Sequence, residues 1–362
     1  MRAMFFLLFI AYVGGNIYLF IRALQAMGAL PIWGKVIFGL LFWVVALSLF
    51  ISFALRDSAV PEVLLQWIYR IGTSWMVVVL YMVMFLVICD LIRLFVPSFS
   101  SGFLISLSLT LITLGAGYIN YRNPRIEHID ISLDKPLGVK QMKIVALSDV
   151  HIGYGTGKGS LARYVAMIME QQPDMILIAG DLIDNSIRPV ENERMEEELN
   201  RLHAPLGVYM AAGNHEFISG IESCQEFLAK TPIILLRDSV VAPTDHVRLI
   251  CRDDRSNRHR KSLAELIAPI DDSQTTILLD HQPYNLSTTD SLRIDLQISG
   301  HTHRGQIFPL NLLVDRMYEQ SHGYRRWRHS HIYVSSGLSL WGPPFRIGTH
   351  SDMAVITLRG RE

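Results

Sequence analysis

The stretch KIVALSDVHIG, residues 143–153, joins a short apolar run to a polar cluster, and this pairing decides how the rest of the chain is interpreted. The first five residues, Lys143–Leu147, are rich in branched side chains and predict a buried strand. Asp149 and His151 follow it two positions apart, so both side chains can lie on one face of an extended backbone. A carboxylate and an imidazole on one face of a strand end indicate a candidate metal site.

The same arrangement recurs at four later points of the chain. Further apolar runs occupy residues 175–179, 208–211, 276–279 and 294–298, and each ends in a polar cluster. The candidate site residues in these clusters are Asp181, Asp184, Asn214, His215, His281, His301, His303 and Arg304. Because ligand sites in α/β sheets form at the carboxyl ends of the strands, we expect these side chains to converge.

Seven residues of the five clusters are candidate metal ligands: Asp149, His151, Asp181, Asn214, His281, His301 and His303. Mixed carboxylate, imidazole and amide ligands suit Mn²⁺, Fe²⁺ or Zn²⁺ better than Ca²⁺ or Mg²⁺, which take mainly oxygen. Seven ligands exceed the needs of one ion, whereas a carboxylate shared between two ions accounts for all of them. The sequence therefore predicts two divalent metal ions. Each cluster alone is explained equally well by a turn and a surface histidine, but five in one order are not.

The first third of the chain has a different composition. No charged residue occurs in segments 3–21, 36–55, 71–89 and 94–121. Each segment is near or above the roughly 20 residues that a helix needs to cross a bilayer. We predict four transmembrane helices, at residues 4–21, 36–55, 71–91 and 100–120. A cleaved signal peptide is an alternative for the first segment, but its apolar stretch is longer than a usual signal core.

Charges near the ends of these segments favour a cytoplasmic location for the soluble domain that follows them, because an excess of Lys and Arg marks the cytoplasmic side. The side of the N terminus has Arg2, Arg56, Arg70, Arg122 and Arg125, and the other side has Arg22, Lys35 and Arg93. We therefore predict an integral, multi-pass protein of the inner or cell membrane. The whole chain has 33 basic and 33 acidic residues, so it lacks the basic excess of a nucleic-acid binder.

The clusters together resemble the motifs of one family, the calcineurin-like metallophosphoesterases, over about residues 142–359. The motifs are Asp149-x-His151, Gly180-Asp181-x-x-Asp184, Gly213-Asn214-His215-Glu216, His281 and Gly300-His301-x-His303. The resemblance implies an α/β fold, a four-layer αββα sandwich of two mixed β-sheets, here preceded by four transmembrane α-helices. It divides the chain into a membrane domain at 1–121, a linker and first strand at 122–141, and the phosphoesterase domain at 142–362.

The resemblance also implies a role for each candidate residue. The first ion would be held by Asp149, His151 and His303, the second by Asn214, His281 and His301, and both by the bridging Asp181. His215 would assist the leaving group, and Asp184 would orient a ligand or its loop from behind. Arg304 is either a residue that binds a substrate phosphate beside the metals or a loop arginine facing solvent.

The implied activity is hydrolysis of a phosphate ester or pyrophosphate by two-metal activation of water. Membrane-associated relatives suggest a phospholipid or a nucleotide-sugar lipid such as UDP-diacylglucosamine as substrate, with membrane lipids as partners. Basic stretches at 251–261 and 324–331 would then contact anionic headgroups, unless they are solvated loops. A phosphodiesterase for a soluble nucleotide-type substrate is one alternative, and a non-catalytic membrane sensor is another. The metal in use, with manganese favoured, the choice between monoester and diester, and the oligomeric state stay open.

Overall fold

The computed structural model describes residues 2–55, 58 and 60–361, without the side chains of residues 2–5. Its first third consists of helices α1 (Arg2–Ala26), α2 (Ile32–Leu55), α3 (Glu62–Phe95) and α4 (Gly102–Arg122). Each helix is long and apolar enough to cross a membrane, as predicted. Helix α3 begins well before the predicted span, so Arg70 lies inside a helix and not in a loop. Arg56 and the side chain of Arg2, both used to predict orientation, lie outside the described residues.

The helices form one compact unit, Met1–Ile119 together with Gly342–Phe345. Leu19, Phe42 and Leu86 belong to its apolar core. Polar groups are also paired inside this unit. Arg22 Nη2 of α1 lies 2.6 Å from Asp90 Oδ1 of α3, an ion pair that the sequence pattern does not predict.

The second compact unit, Asn120–Trp341 with Arg346–Glu362, contains twelve strands in its described residues. They are β1 (Arg125–Ser132), β2 (Met142–Leu147), β3 (Met175–Ala179), β4 (Val208–Ala211), β5 (Ile233–Leu236), β6 (Ser239–Thr244), β7 (Val247–Cys251), β8 (Thr275–Leu279), β9 (Leu296–Ser299), β10 (Gly323–Arg326), β11 (His331–Val334) and β12 (Asp352–Arg359). One six-stranded sheet has the order β1-β12-β2-β3-β4-β5, and the other has the order β10-β11-β9-β8-β7-β6. Both sheets are mixed, since the parallel pairs β2–β3 and β7–β8 adjoin the antiparallel pairs β2–β12 and β6–β7.

Short helices accompany the sheets. They are α5 (Lys158–Met169), α6 (Arg188–Asn192), α7 (Glu196–Leu199), α8 (Asn214–Ser219), α9 (Ile221–Leu228), α10 (Leu263–Ile267), α11 (Leu286–Ser291) and α12 (Leu310–Met317), with a 3₁₀ turn at His303–Gly305. One apolar core lies between the sheets and includes Ile144 and Ile277. A second packs β2 and β3 against helices such as α5 and α9, and a third packs β7 and β8 against α10. Two mixed sheets enclosed by helices confirm the predicted fold.

The five apolar runs of the sequence are all strands, namely β2, β3, β4, β8 and β9. In the first sheet β2, β3 and β4 are parallel neighbours, with Ile144 paired to Met175 and Ile176 to Val208. In the second sheet β8 and β9 are parallel neighbours, with Ile277 paired to Leu296. Because neighbouring strands run in one direction, the polar clusters that follow them lie at one end of each sheet.

Candidate metal centre

Three candidate ligands from two strand ends form the first group of the site. Asp149 and His151 follow β2, and His303 follows β9. Asp149 Oδ1 lies 3.3 Å from His303 Nε2 and 3.7 Å from His151 Nε2. The two imidazole nitrogens, His151 Nε2 and His303 Nε2, are 3.0 Å apart. One ligand atom from each residue can therefore be directed at a single point.

A second group lies beside the first and is centred on Asp181, which follows β3. Its Oδ2 atom is 3.1 Å from His281 Nε2 and 3.9 Å from His151 Nε2 of the first group. His301 completes the group, with its ring centroid 5.2 Å from that of His281. Asp181 is thus close to candidate ligands of both groups, which is where a bridging carboxylate has to lie.

The backbone at five candidate ligands is left-handed, although none of them is glycine. The φ angles are 53° at Asp149, 47° at His151, 52° at Asp181, 70° at His301 and 46° at His303. Residues other than glycine rarely adopt this left-handed backbone conformation, and each one that does so costs about 1–3 kcal/mol of stability. Concentration of this strain at strand ends that share one cluster is typical of a functional site.

Two glycines allow the loops to approach the carboxylates. A Cβ built at Gly213 would overlap the Asp181 carboxylate, and one at Gly300 would overlap Ser148 and the Asp149 carboxylate. The Asp149 carboxylate occupies the space where a side chain at Gly300 would lie, and its Oδ2 atom accepts from the backbone amide of His301 at 3.0 Å. The glycines of these motifs therefore serve close backbone packing around the acidic residues.

Glu216 supports the turn that carries Asp181, a role that sequence reasoning missed. Its buried carboxylate accepts hydrogen bonds from the backbone amides of Asp181 at 3.0 Å, Ile183 at 3.0 Å and Gly213 at 2.8 Å. These bonds join the loop after β3 to the loop after β4. In the sequence, only the Gly-Asn-His-Glu motif points to Glu216, and the motif does not indicate which backbone amides this residue binds.

His215 lies at the edge of the cluster, at the start of α8. Its backbone amide donates to Asp181 Oδ1 at 2.8 Å, and its ring lies 4.5 Å from that of His151. Asp184 Oδ1 is 3.1 Å from His215 Nδ1 and 3.4 Å from His151 Nδ1. Asp184 therefore contacts the outer nitrogens of two histidines, as expected for a residue that orients them.

Arg346 is the second residue that sequence reasoning missed. It is only 1% exposed, and its guanidinium donates to the carbonyl oxygens of His303 at 2.8 Å, Gly337 at 3.1 Å and Ser339 at 2.9 Å. Gly337 adjoins the site, because a Cβ built there would lie 3.0 Å from His303 Nδ1. The arginine thus fixes the backbone of a candidate ligand to the loop that follows β11.

Burial and charge determine how these groups titrate before any metal binds. Burial tends to raise the pKa of Asp149, but His303 and His151 hold that pKa well below its usual range. Burial lowers the pKa of His303 to about 4. For His151, the nearby carboxylates of Asp149, Asp184 and Asp181 overcome the effect of burial and raise the pKa to about 10. At neutral pH we therefore expect a protonated His151 beside a neutral His303.

The donor set fits divalent metal ions. Asn214 Oδ1 is buried and has no hydrogen-bond partner among the described residues. His281 Nδ1 lies 2.7 Å from the carbonyl oxygen of Ala179, which requires a proton on Nδ1 and leaves Nε2, 3.1 Å from Asp181 Oδ2, as the nitrogen that a metal ion can bind after this atom loses its proton. A buried oxygen without a donor is costly unless a cation binds it.

Arg304 differs from the other candidates. Its side chain is half-buried, and its Nε lies 3.7 Å from Asp315 Oδ1. It lines a cavity of about 280 Å³ together with Arg125, His322 and His350. The structure gives no contact between this guanidinium and the candidate ligands, so its role in binding substrate stays a prediction.

The structure is that of an α/β protein with two mixed sheets and a cluster of aspartates and histidines at the strand ends that could bind metal ions. Comparison with known sequences identifies the family. Residues 142–305 match the family model of the calcineurin-like phosphoesterases. An uncharacterized metallophosphoesterase of Campylobacter jejuni is 31% identical over 265 residues, which are 71% of this chain and 70% of that protein. The chain belongs to the calcineurin-like phosphoesterase family.

Two further relatives agree with this assignment. An uncharacterized metallophosphoesterase of Helicobacter pylori is 36% identical over 247 residues, 67% of this chain. A Danio rerio protein named as a transmembrane protein with a metallophosphoesterase domain is 31% identical over 273 residues, 70% of this chain. The aligned segments cover 65% and 62% of these two relatives. Four long apolar helices, together with relatives named as transmembrane proteins, indicate a membrane protein.

Solved structures add a likeness of fold alone. A dimetal phosphatase from Danio rerio has a TM-score of 0.36 and 13% sequence identity, and the match covers 54% of this chain and 87% of that one.

Proposed function

We propose that this protein is a membrane-anchored hydrolase that cleaves a phosphate ester or pyrophosphate with two divalent metal ions. The observation that carries the proposal is the convergence of the ligand atoms. Asp149, His151 and His303 form one group within 4.8 Å, Asp181, His281 and His301 form another, and His151 also groups with Asp181. Two adjacent groups joined by a shared carboxylate suit a pair of ions rather than one.

We assign the ligands by this geometry. Asp149, His151 and His303 would hold the first ion, and His281 and His301 would hold the second with the amide oxygen of Asn214. Asp181 lies beside both groups and would be the ligand that the two ions share. The mixture of oxygen and imidazole nitrogen favours Mn²⁺, Fe²⁺ or Zn²⁺.

The ions supply electrostatic stabilisation of the phosphoryl oxygens and a water molecule of lowered pKa. The chain itself positions the reacting groups. Asp184 Oδ1, 3.1 Å from Nδ1 of His215, stabilises the doubly protonated ring, which can donate the proton on its other nitrogen to the departing oxygen and keep the proton on Nδ1. Glu216 keeps Asp181 in place through the backbone of its turn. Asp184 therefore acts through His151 and His215, while His215 acts on the substrate.

We further propose that residues 1–121 form the membrane domain, that residues 122–141 connect it to the catalytic domain at 142–362, and that this domain faces the cytoplasm. Anchoring at a bilayer favours a phosphorylated lipid or a nucleotide-sugar lipid as substrate. Arg304, one residue from His303, is a candidate contact for a substrate phosphate. A soluble nucleotide-type ester is the alternative, and activity of the full-length protein on each class distinguishes them.

The first test is hydrolysis of bis-p-nitrophenyl phosphate and p-nitrophenyl phosphate by the full-length protein, stripped with chelator and reloaded with Mn²⁺. We expect Mn²⁺ to restore hydrolysis and His301→Ala to abolish it, with loss of about one bound ion per chain. His203→Ala, a change at an exposed histidine, is the matched control and should retain full rate. The preferred ester separates a diesterase from a monoesterase. A protein that binds fewer than two ions, or a fully active His301→Ala variant, would contradict the assignment.

A further inference from the structure

The basic stretch 251–261 contains arginines with different surroundings. Arg252 Nη1 lies 3.1 Å from Asp280 Oδ2, and Arg260 Nη1 lies 3.4 Å from Asp280 Oδ1. Asp280 is 4% exposed, so these two arginines neutralise a buried carboxylate and hold the loop against the end of β8. Their charges have a structural use, and they do not form a free basic surface for headgroups.

Arg255 is different. Its side chain is exposed and forms no hydrogen bond or ion pair within the part of the chain that the structure describes. Its guanidinium carbon lies 4.3 Å from the centroid of the Tyr284 ring. A cation over the face of a tyrosine ring is attracted to the negative charge density of that face. The ring therefore positions the guanidinium and leaves its N–H groups available to a ligand.

Tyr284 connects this arginine to the metal centre. It lies three residues after His281, and its ring centroid is 5.0 Å from that of Tyr318, with the two hydroxyl oxygens 3.1 Å apart. The Tyr318 ring in turn is 6.5 Å from the ring of His301. Both tyrosines are half-buried. We call Tyr284 and Tyr318 the aromatic ledge; it extends from a candidate metal ligand to Arg255.

We infer that Arg255 and the aromatic ledge determine specificity, by selecting phosphoesters whose organic group carries a second phosphate. The scissile phosphate would lie at the metals, the organic group would cross the ledge, and the second phosphate would meet Arg255. A guanidinium presents paired N–H donors that match phosphate oxygens, which a neutral side chain cannot reproduce. Selection among substrates during hydrolysis rests on the proposed function, whereas binding of a bisphosphate to the aromatic ledge and Arg255 does not.

A matched pair of substrates tests the inference: the p-nitrophenyl ester of thymidine 5′-phosphate, with and without a 3′-phosphate. For full-length protein loaded with Mn²⁺ we expect a higher kcat/KM with the 3′-phosphate. In Arg255→Gln the ratio of the two kcat/KM values should fall about tenfold, which corresponds to about 1.4 kcal/mol. Tyr284→Leu should lower the ratio as well, because the guanidinium loses the ring that holds it. Tyr284→Phe keeps the ring face and should preserve the ratio.

Arg258→Gln removes a charge from an exposed arginine of the same loop and is the matched control, with the ratio unchanged. A binding arm uses thymidine 3′,5′-bisphosphate and chelator-treated full-length protein in a calorimeter, where no turnover occurs. Weaker binding by Arg255→Gln than by Arg258→Gln supports the inference even if neither ester is hydrolysed, because this measurement involves no metal ion and no turnover. Equal ratios in wild type and Arg255→Gln, or equal binding by the two variants, overturn the inference and leave the metal centre unaffected.

Discussion

Replacing Glu216 by glutamine should loosen the turn that carries Asp181. The carboxylate accepts three backbone N–H groups, from Asp181, Ile183 and Gly213, at 2.8–3.0 Å. Glutamine has one oxygen, and its amide group would face an N–H where the second carboxylate oxygen now accepts. At least one backbone donor and the new side-chain donor would then be buried without acceptors.

The size of the effect follows from that count. Each buried unpaired donor costs about 1–3 kcal/mol, so two cost about 2–6 kcal/mol. A middle value of about 4 kcal/mol lowers the Tm of a domain of this size by roughly 8–16 °C. Because the same turn positions Asp181, we also expect the affinity for Mn²⁺ to fall about 10- to 100-fold.

The assay is thermal unfolding of the full-length protein in detergent by near-UV circular dichroism, with Mn²⁺ titrated by calorimetry. Glu222→Gln removes the same charge from an exposed position of α9 and should change neither quantity. A Glu216→Gln variant that unfolds within about one degree of wild type and binds Mn²⁺ equally well would refute this account of the turn.

Two further predictions concern the same centre. Arg346→Met removes the donors that fix the His303 carbonyl, so the affinity for Mn²⁺ should fall about tenfold in a calorimetric titration. Arg346→Lys should recover part of this affinity. Unchanged affinity in the methionine variant would contradict the role of Arg346. Adding Mn²⁺ at pH 7 to chelator-treated protein should release about two protons, because His151 and His281 have raised pKa values and a metal binds only neutral imidazole. A pH-stat measures this release, and none would mean that these rings do not bind the ions.

The sequence predicted the convergence of the site because its information is local. An apolar run followed by Asp149-x-His151 specifies both the strand and the direction of the side chains, and the same holds for His301 and His303. The four apolar helices are likewise visible in composition alone. Residues that act on backbone atoms leave no comparable pattern, because their partners lie far away in the chain. Arg346 contacts the carbonyl of His303 across 43 positions, and nothing in the sequence "PPFRIG" indicates that distant partner.

Charge runs were the least informative part of the sequence. The stretch at 251–261 reads as a uniform basic segment, yet Arg252 and Arg260 pair with Asp280, and Arg255 lies over Tyr284. Position in the sequence cannot separate a neutralised arginine from a free one, because the difference depends on a carboxylate twenty or more residues away. Asp90 near the end of α3 is a second example. The sequence shows only a charged residue at the end of an apolar segment, and the structure shows that Arg22 of α1 pairs with it.

At the five strand-end residues with left-handed backbone, selection for stability and selection for metal binding favour different amino acids. Glycine at Asp149, His151, Asp181, His301 or His303 would relieve backbone strain and remove a proposed metal ligand in the same step. A laboratory evolution experiment that selected only for expression or heat tolerance would therefore favour variants that have lost these residues. Screens for hardier versions of this protein need a readout of bound metal in every round.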